Sequence, residues 1–218
     1  MIDLSLDTAV GDIAGSLPGA VEVFRQSGIS YCCGGTESLR LAAEKAGYAP
    51  DLILGALQAL VPAETAAPQE TAALIDHITA RYHDTHRAEL EWLVPLAEKV
   101  ERVHGDHEEA PLGLAEVLAA LRDDLEGHMM KEEQVLFPMM RQGGHPMIVH
   151  PIAMMRQEHD EANALVDRVT LLTHDLTLPE GACRSWTALY TGLDKFARDL
   201  QAHVALENDV LFPRFEAA

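Results

Sequence analysis

One eleven-residue pattern occurs twice in this chain. His128 to Pro138 reads HMMKEEQVLFP and His203 to Pro213 reads HVALENDVLFP, so HxxxExxVLFP recurs at an offset of seventy-five residues. The stretch before each copy contains a His-Asp pair, His83-Asp84 and His159-Asp160, offset by seventy-six. Self-similarity at this period, with helical spacing inside the repeat, describes a duplicated helical hairpin. One hairpin leaves an apolar face open, and a second copy covers it. The duplication therefore predicts four long helices in an up-down-up-down bundle.

The rest of the chain fits an all-α fold. Aromatic residues make up only 5%, Ala and Leu are abundant, and β-branched alternation is scarce. The four long helices are expected at roughly 71–103, 112–137, 151–174 and 181–212. Pro111 and Pro151 fall where N1 prolines belong, and Pro138 and Pro213 are expected to close the second and fourth helices. Residues 1–61 read as a small helical domain of three or four short helices. Thr8 is expected to cap the first, and Pro18 to start a second that stops at Gly28. Thr36 is expected to cap a third that ends at Gly47, and Asp51 to Leu60 forms a fourth. Residues 62–70 (PAETAAPQE is 62–70) have linker composition, and residues 71–218 form the bundle.

Each long helix carries chemistry on its apolar seam. The second reads Leu114, Leu118, Leu121, Leu125, His128, Glu132, Val135, Met139 at alternating steps of four and three. The fourth gives Trp186, Leu189, Leu193, Phe196, Leu200, His203, Glu207, Val210. The third gives Ile152, Met155, His159, Ala162, Val166, Val169, and the first His83, His86, Leu90, Leu93, Ala97, Val100. Every seam thus turns an imidazole inward, and two add a carboxylate one turn further on. A buried carboxylate without a partner costs several kcal/mol, about the penalty of an uncompensated core charge, so these glutamates require cations.

Height along the bundle gives a second constraint. In an up-down-up-down arrangement the four histidines lie about 12–18 Å from one shared end, at about 1.5 Å per residue. Glu132 and Glu207 fall in the same layer. Four His and two Glu converging in a bundle core make a dinuclear metal site. Imidazole and carboxylate without thiolate suit iron or manganese, and less specifically zinc. With two bridging carboxylates and one oxo or hydroxo bridge, each six-coordinate metal keeps one open position, for O₂, peroxide, NO or water. His precedes Glu by four, unlike the Glu-x-x-His pattern of ferritin-like bundles.

Charge narrows the partners. Sixteen Lys+Arg against thirty-five Asp+Glu give a formal charge of −19, which repels phosphate backbones and anionic membranes and attracts metal cations. The longest run without Asp, Glu, Lys or Arg, Gln142 to Met155, contains two Gly and two Pro and cannot span a bilayer. The N-terminus is acidic and has no basic segment of the secretory kind. Three cysteines do not make a disulfide framework, so a cytoplasmic protein is expected.

The segments HMMKEEQVLFP, HVALENDVLFP, RYHDTH (81–86), EHDEA (158–162) and YCCGG (31–35) together resemble the repair-of-iron-centres family, over essentially the whole chain. That resemblance implies a haemerythrin-like bundle with two non-haem iron ions, and a small N-terminal domain marked by Cys-Cys-Gly-Gly. It implies His83, His128, His159 and His203 as ligands, with Glu132 and Glu207 as bridges; no ligand position is substituted. It further implies restoration of iron–sulfur clusters damaged by nitric oxide or peroxide, by supply of iron, with damaged iron–sulfur proteins as partners. Reduction of NO or peroxide at the same irons is the competing activity, and an O₂- or NO-binding sensor of haemerythrin type is a non-enzymatic alternative. Whether the protein turns over as an enzyme stays open, as does assembly as a homodimer.

The remaining candidates are weaker. Cys32 and Cys33 are adjacent, which permits only a strained disulfide, and two thiols are too few for a zinc or cluster site. With Gly34 and Gly35 beside them they suit a reactive pair that receives iron, NO or electrons, or engages a client. Cys183 reads as structural. His86 shares the seam of His83 as an outer partner or alternative ligand, and His77 is less well placed. His104, His107, His145, His150 and His174 read as solvated or capping groups. Asp124 and Glu158 could orient an imidazole or mark an acidic path for iron. The paired methionines read as core filler.

Overall fold

A computed structural model describes residues 4–31, 35–60 and 67–216; Cys32, Cys33 and most of the linker lie outside them. Among the described residues the regular structure is helical, apart from an isolated bridge between Ala9 and Ser38. Four short helices come first: α1 (Val10–Ser16), α2 (Ala20–Gln26), α3 (Leu39–Lys45) and α4 (Pro50–Ala59). Four long ones follow, three of them interrupted by a wider π turn. Helix α5 is Thr71–Ile78, a π turn Thr79–His83, and Asp84–His104. Helix α6 is Leu114–Lys131, a π turn Glu132–Leu136, and Phe137–Arg141. Helix α7 is Val149–Leu172, and α8 is Arg184–Ala205, a π turn Leu206–Leu211, and Pro213–Glu216. Helix α5 packs on α6 and α8, and α6 on α7, as an up-down-up-down bundle requires.

The helix starts differ from the expected caps for identifiable reasons. Thr8 does not cap α1: its hydroxyl accepts from the Ser5 N–H at 3.1 Å, and Val10 N–H bonds Glu37 O at 2.9 Å instead. The bridge to the neighbouring segment thus satisfies a donor that a cap would otherwise serve. Ser38, two residues after Thr36, caps α3, its hydroxyl accepting from Leu41 N–H at 3.4 Å. Pro111 lies before Gly113, whose φ of 88° opens α6, and Pro151 is the third residue of α7.

The prolines of the repeat do not end their helices. In both copies the backbone ladder has already widened, with Phe137 N–H bonding Glu132 O and Phe212 N–H bonding Glu207 O. Pro138 and Pro213 therefore enter where the i→i−4 register is interrupted, as the second and the first residue of the helical segments that follow. The same turns move the seam. An extra residue per π turn advances the phase by about 100°, so the core side passes from Val135 to Leu136 and from Val210 to Leu211. Val135 is 52% exposed and Leu136 1%; Val210 is 39% exposed and Leu211 fully buried. Met139 is likewise displaced, and Met140 is buried in its place.

The apolar interior forms two clusters. One gathers Leu74, Ile75, Ile78, Leu136, Phe137, Met140, Met155, Leu211 and Phe212 at one end of the bundle. The other runs through the remaining length and includes Leu90, Leu93, Leu125, Ala162, Phe196 and Leu200. It continues without a break into Val10, Ile13, Phe24, Leu39 and Leu57, so the N-terminal helices share the core of the bundle. Helix α1 lies along α8, where Thr191 Oγ1 donates to Gly15 O at 2.9 Å. Arg184 packs against both Gly11 and Gly35, whose backbones bond at 2.9 Å; a Cβ on either would fall within 2.7 Å of its side chain. No described helix is long and apolar enough to cross a membrane.

The displaced seam yields a direct comparison. Leu136→Ala is expected to cost about 2–5 kcal/mol, whereas Val135→Ala should stay within about 0.5 kcal/mol, as read from urea unfolding midpoints of the two variants. An uninterrupted heptad predicts the reverse order.

Candidate metal centre

Between the two apolar clusters lies one polar layer. His83, at the end of the first π turn, Glu132, at the start of the second, and Glu207, inside the third, are all completely buried. His128, His159 and His203 are nearly so. The structure brings the six expected donors together in two groups that share both carboxylates. His83, Glu132, His203 and Glu207 form one, and His128, Glu132, His159 and Glu207 the other, with ligand atoms within 4.8 Å of one another in each. This settles how the histidines pair, which spacing alone left open.

The distances describe a cage for cations. His83 Nε2 and His203 Nε2 are 3.2 Å apart, and His128 Nε2 and His159 Nε2 3.1 Å. Glu132 Oε2 is 3.4 Å from His83 Nε2 and 3.3 Å from His128 Nε2. Glu207 places Oε1 3.1 Å from His203 Nε2 and Oε2 3.1 Å from His159 Nε2. Adjacent donors around an octahedral ion with bonds of about 2.1 Å stand about 3.0 Å apart. None of the four carboxylate oxygens has a well-directed hydrogen bond. A buried pair of carboxylates with free oxygens, faced by bare Nε2 atoms, fits two metal ions and has no comparable explanation as packing.

The electrostatics of the metal-free layer point the same way. Burial and the neighbouring Glu207 charge both work to raise the Glu132 pKa, yet His128 and His83 outweigh them and hold it below the ordinary value. Burial opposes ionisation of Glu207 as well, and His203 and His159 drive its pKa well down. In return, against the burial that disfavours their charge, His83 is raised by Glu132 and Glu207, and His128 is raised to about 9 chiefly by Glu132. Carboxylates held low and imidazoles held high mark a layer whose negative charge calls for a cation.

Outside the cage, acceptors fix the rings. His83 Nδ1 meets Glu133 Oε1 at 2.8 Å, and Arg87 holds Glu133 at 2.9 Å and Glu126 at 2.7 Å. His128 Nδ1 meets Glu158 Oε2 at 3.1 Å, with Lys131 on the other oxygen. His159 Nδ1 meets Asn208 Oδ1 at 3.1 Å. Each contact favours a proton on Nδ1 and leaves the Nε2 lone pair for a metal. Glu158, expected to orient an imidazole or mark an acidic path, holds His128 across the helix interface. Glu133 and Asn208 were not foreseen, although a signal existed: each follows a bridging glutamate, at the same seventy-five-residue offset.

The other candidates separate from the centre. Asp124 lines a small cavity of about 110 Å³ beside His128, together with Glu158 and Glu161. His86 is completely buried next to His203, at 5.3 Å between ring centroids, but belongs to neither donor group. His77 packs against Tyr82. His104 contacts Cys183 Sγ at 3.1 Å, and Cys183 precedes α8 as its N-cap residue. His107 and His145 cap local turns through Nδ1. Of the paired methionines only Met129, Met140 and Met155 are buried in the apolar clusters; Met130 and Met154 are exposed and Met139 is half-buried, because neighbours on a helix cannot share one face.

Residues 74–215 match the family described as hemerythrin HHE cation binding domain. The chain belongs to that family. The cation-binding bundle and a donor set of imidazoles and carboxylates agree with the expected pair of non-haem iron ions. Residues 6–61 match a second family, described as a domain of unknown function (DUF542). Among characterised relatives, the iron-sulfur cluster repair protein YtfE of Salmonella paratyphi B is 46% identical over 213 residues, covering 95% of this chain and 96% of the relative. The proteins of the same name from Salmonella newport and Salmonella heidelberg are similar to the same extent.

The raised His128 pKa gives a pH test of the layer. Its ordinary value of 6.5 rises to about 9 on folding, so its charge stabilises the metal-free fold fully below pH 6.5, and that contribution fades as pH climbs through about 9. Thermal melts of metal-free protein should therefore show a falling midpoint across this window. Loading with iron(II), which replaces the proton, should remove the slope. A metal-free midpoint that is flat from 6.5 to 9 contradicts the ionised carboxylate–imidazolium account.

Proposed function

We propose that this protein repairs iron–sulfur clusters damaged by nitrosative or oxidative stress, by donating iron from its di-iron centre. The observation that carries this reading is the joint one: a complete, buried two-metal cage in a chain 46% identical, nearly end to end, to iron-sulfur cluster repair proteins. His83 and His203 would hold one iron and His128 and His159 the other, with Glu132 and Glu207 shared between the two groups. Damaged iron–sulfur proteins are the partners, and NO, O₂ or peroxide are the small molecules the centre meets.

The residues suit storage with release. Glu133, Glu158 and Asn208 hold three of the imidazoles in the orientation a metal needs, without ligating it. The apolar clusters above and below the layer exclude bulk water, which strengthens each ionic contact inside. With two carboxylates and no thiolate, iron(II) is bound by hard oxygen and borderline nitrogen donors, and a thiolate- and sulfide-rich acceptor takes it up. Cys32 and Cys33 are assigned to docking or priming the damaged client, and a charge of −19 draws free iron(II) to the surface.

The test is isotopic. Protein loaded with ⁵⁷Fe is mixed anaerobically with a [4Fe–4S] enzyme damaged by NO, and the restored cluster is examined by Mössbauer spectroscopy. Label should appear in the cluster, and Glu132→Ala Glu207→Ala protein should deliver none. Repair without label identifies NO removal at the irons as the activity, and neither label nor repair leaves a sensor.

A further inference from the structure

The duplication makes the two halves of the centre comparable residue by residue, and they are not equal. An offset of seventy-six relates His83 to His159, and seventy-five relates His128 to His203. Glu133 and Asn208 correspond and do the same work. Glu158, which holds His128, corresponds to Tyr82. Tyr82 only stacks on His203, at 5.3 Å between centroids and 6° between planes. His203 Nδ1 is accordingly buried with no hydrogen-bond partner, unlike the Nδ1 of the other three ligating histidines. The iron held by His83 and His203 has the less firmly anchored ligand set.

The same half carries donors the other lacks. His86 corresponds to Ala162 and Glu89 to Leu165. His86 is completely buried with neither ring nitrogen partnered. Glu89 is 6% exposed; one oxygen takes Lys195, and Oε2 is buried without a partner. His83, His86 and Glu89 follow each other at steps of three along α5, so each donor lies about 4.5 Å further along and about 60° round the helix. The series begins at the centre and ends at Glu89, which lines a cavity of about 490 Å³ between the N-terminal helices and the bundle. Asp84, on α5, and Glu22, on α2, line the same cavity, together with the cations Arg81 and Lys195.

We infer that His86 and Glu89 form a relay by which iron(II) leaves the His83–His203 position for this cavity, while the His128–His159 position retains its metal. The relay rests on the iron-donation reading. Its steps are ligand exchanges: a bond to His203 or Glu207 gives way to one to His86, and that to one to Glu89, with no change of oxidation state. A ligand offered before the previous bond is lost keeps the ion coordinated in a core that cannot hydrate it.

The experiment follows release from protein loaded with two equivalents of iron(II), mixed anaerobically with excess ferrozine. The unaltered protein should release its iron in two phases of equal amplitude. His86→Leu and Glu89→Gln, the latter still able to bond Lys195, should each slow the fast phase at least tenfold. The slow phase, the iron content before chelation and the Mössbauer spectrum should not change. An unaltered fast phase in both variants overturns the relay, as do equal changes in both phases or loss of iron on loading in both. So does selective slowing by Asp124→Asn Glu161→Gln, which places the exit beside His128 instead. Unchanged release with normal delivery of ⁵⁷Fe to a cluster removes the relay and leaves the repair reading standing. Slowed release in the variants, with no label reaching a cluster from the unaltered protein, does the opposite.

Discussion

Two carboxylates lie in the middle of the bundle, closed off by apolar side chains on both sides, with no hydrogen bond directed at any of their oxygens. Their charge must be balanced where they stand, because water cannot reach them and the desolvation penalty runs to several kcal/mol, about what is lost when a buried ion is left unpaired. Four imidazoles, one from each long helix, surround these carboxylates within reach of a shared cation. The arrangement of α5 to α8 is thereby tied to the chemistry: a bundle that slipped by one turn would strand the carboxylates among leucines.

The π turns are the local means to this end. Each occurs where a donor must face inward at a height that regular α-helical phase would not supply beside the adjoining apolar residues: His83, Glu132 and Glu207. At Glu132 and Glu207 the inserted residue lets the donor and the following leucine and phenylalanine all turn toward the core. Interrupted ladders cost stability, and they persist beside functional groups because the packing around them is otherwise complete. Here that packing is the apolar cluster of Leu136, Phe137, Leu211 and Phe212.

Much of this was legible in the sequence, for a physical reason: duplication prints every important position twice. The all-α class, the four long helices and the six donors followed from matched spacing at His128, Glu132, His203 and Glu207 and from seam histidines on the other two helices. The core phase beyond the glutamates was not legible, because a π turn leaves no residue signature and the heptad extends smoothly to Val135 and Val210. Thr8 and Thr36 misled because a chain bridge and a later serine served the helix starts instead. The contact between the N-terminal helices and the bundle depends on tertiary fit, which periodicity within one helix does not encode.

The packing of Arg184 against Gly11 and Gly35 fixes where this part of the chain stands along α8. Gly35 and Tyr31, the described residues nearest the Cys-Cys pair, lie against Arg184 at the start of α8 and near Lys99 of α5. His203 lies nineteen residues further along α8, a rise of about 28 Å. The molecule is therefore bipolar. Gly35 and Tyr31 stand far from the polar layer that gathers His83, Glu132, His203 and Glu207. Groups that far apart along one helix share no partners, so a substitution at one leaves the energetics of the other unchanged.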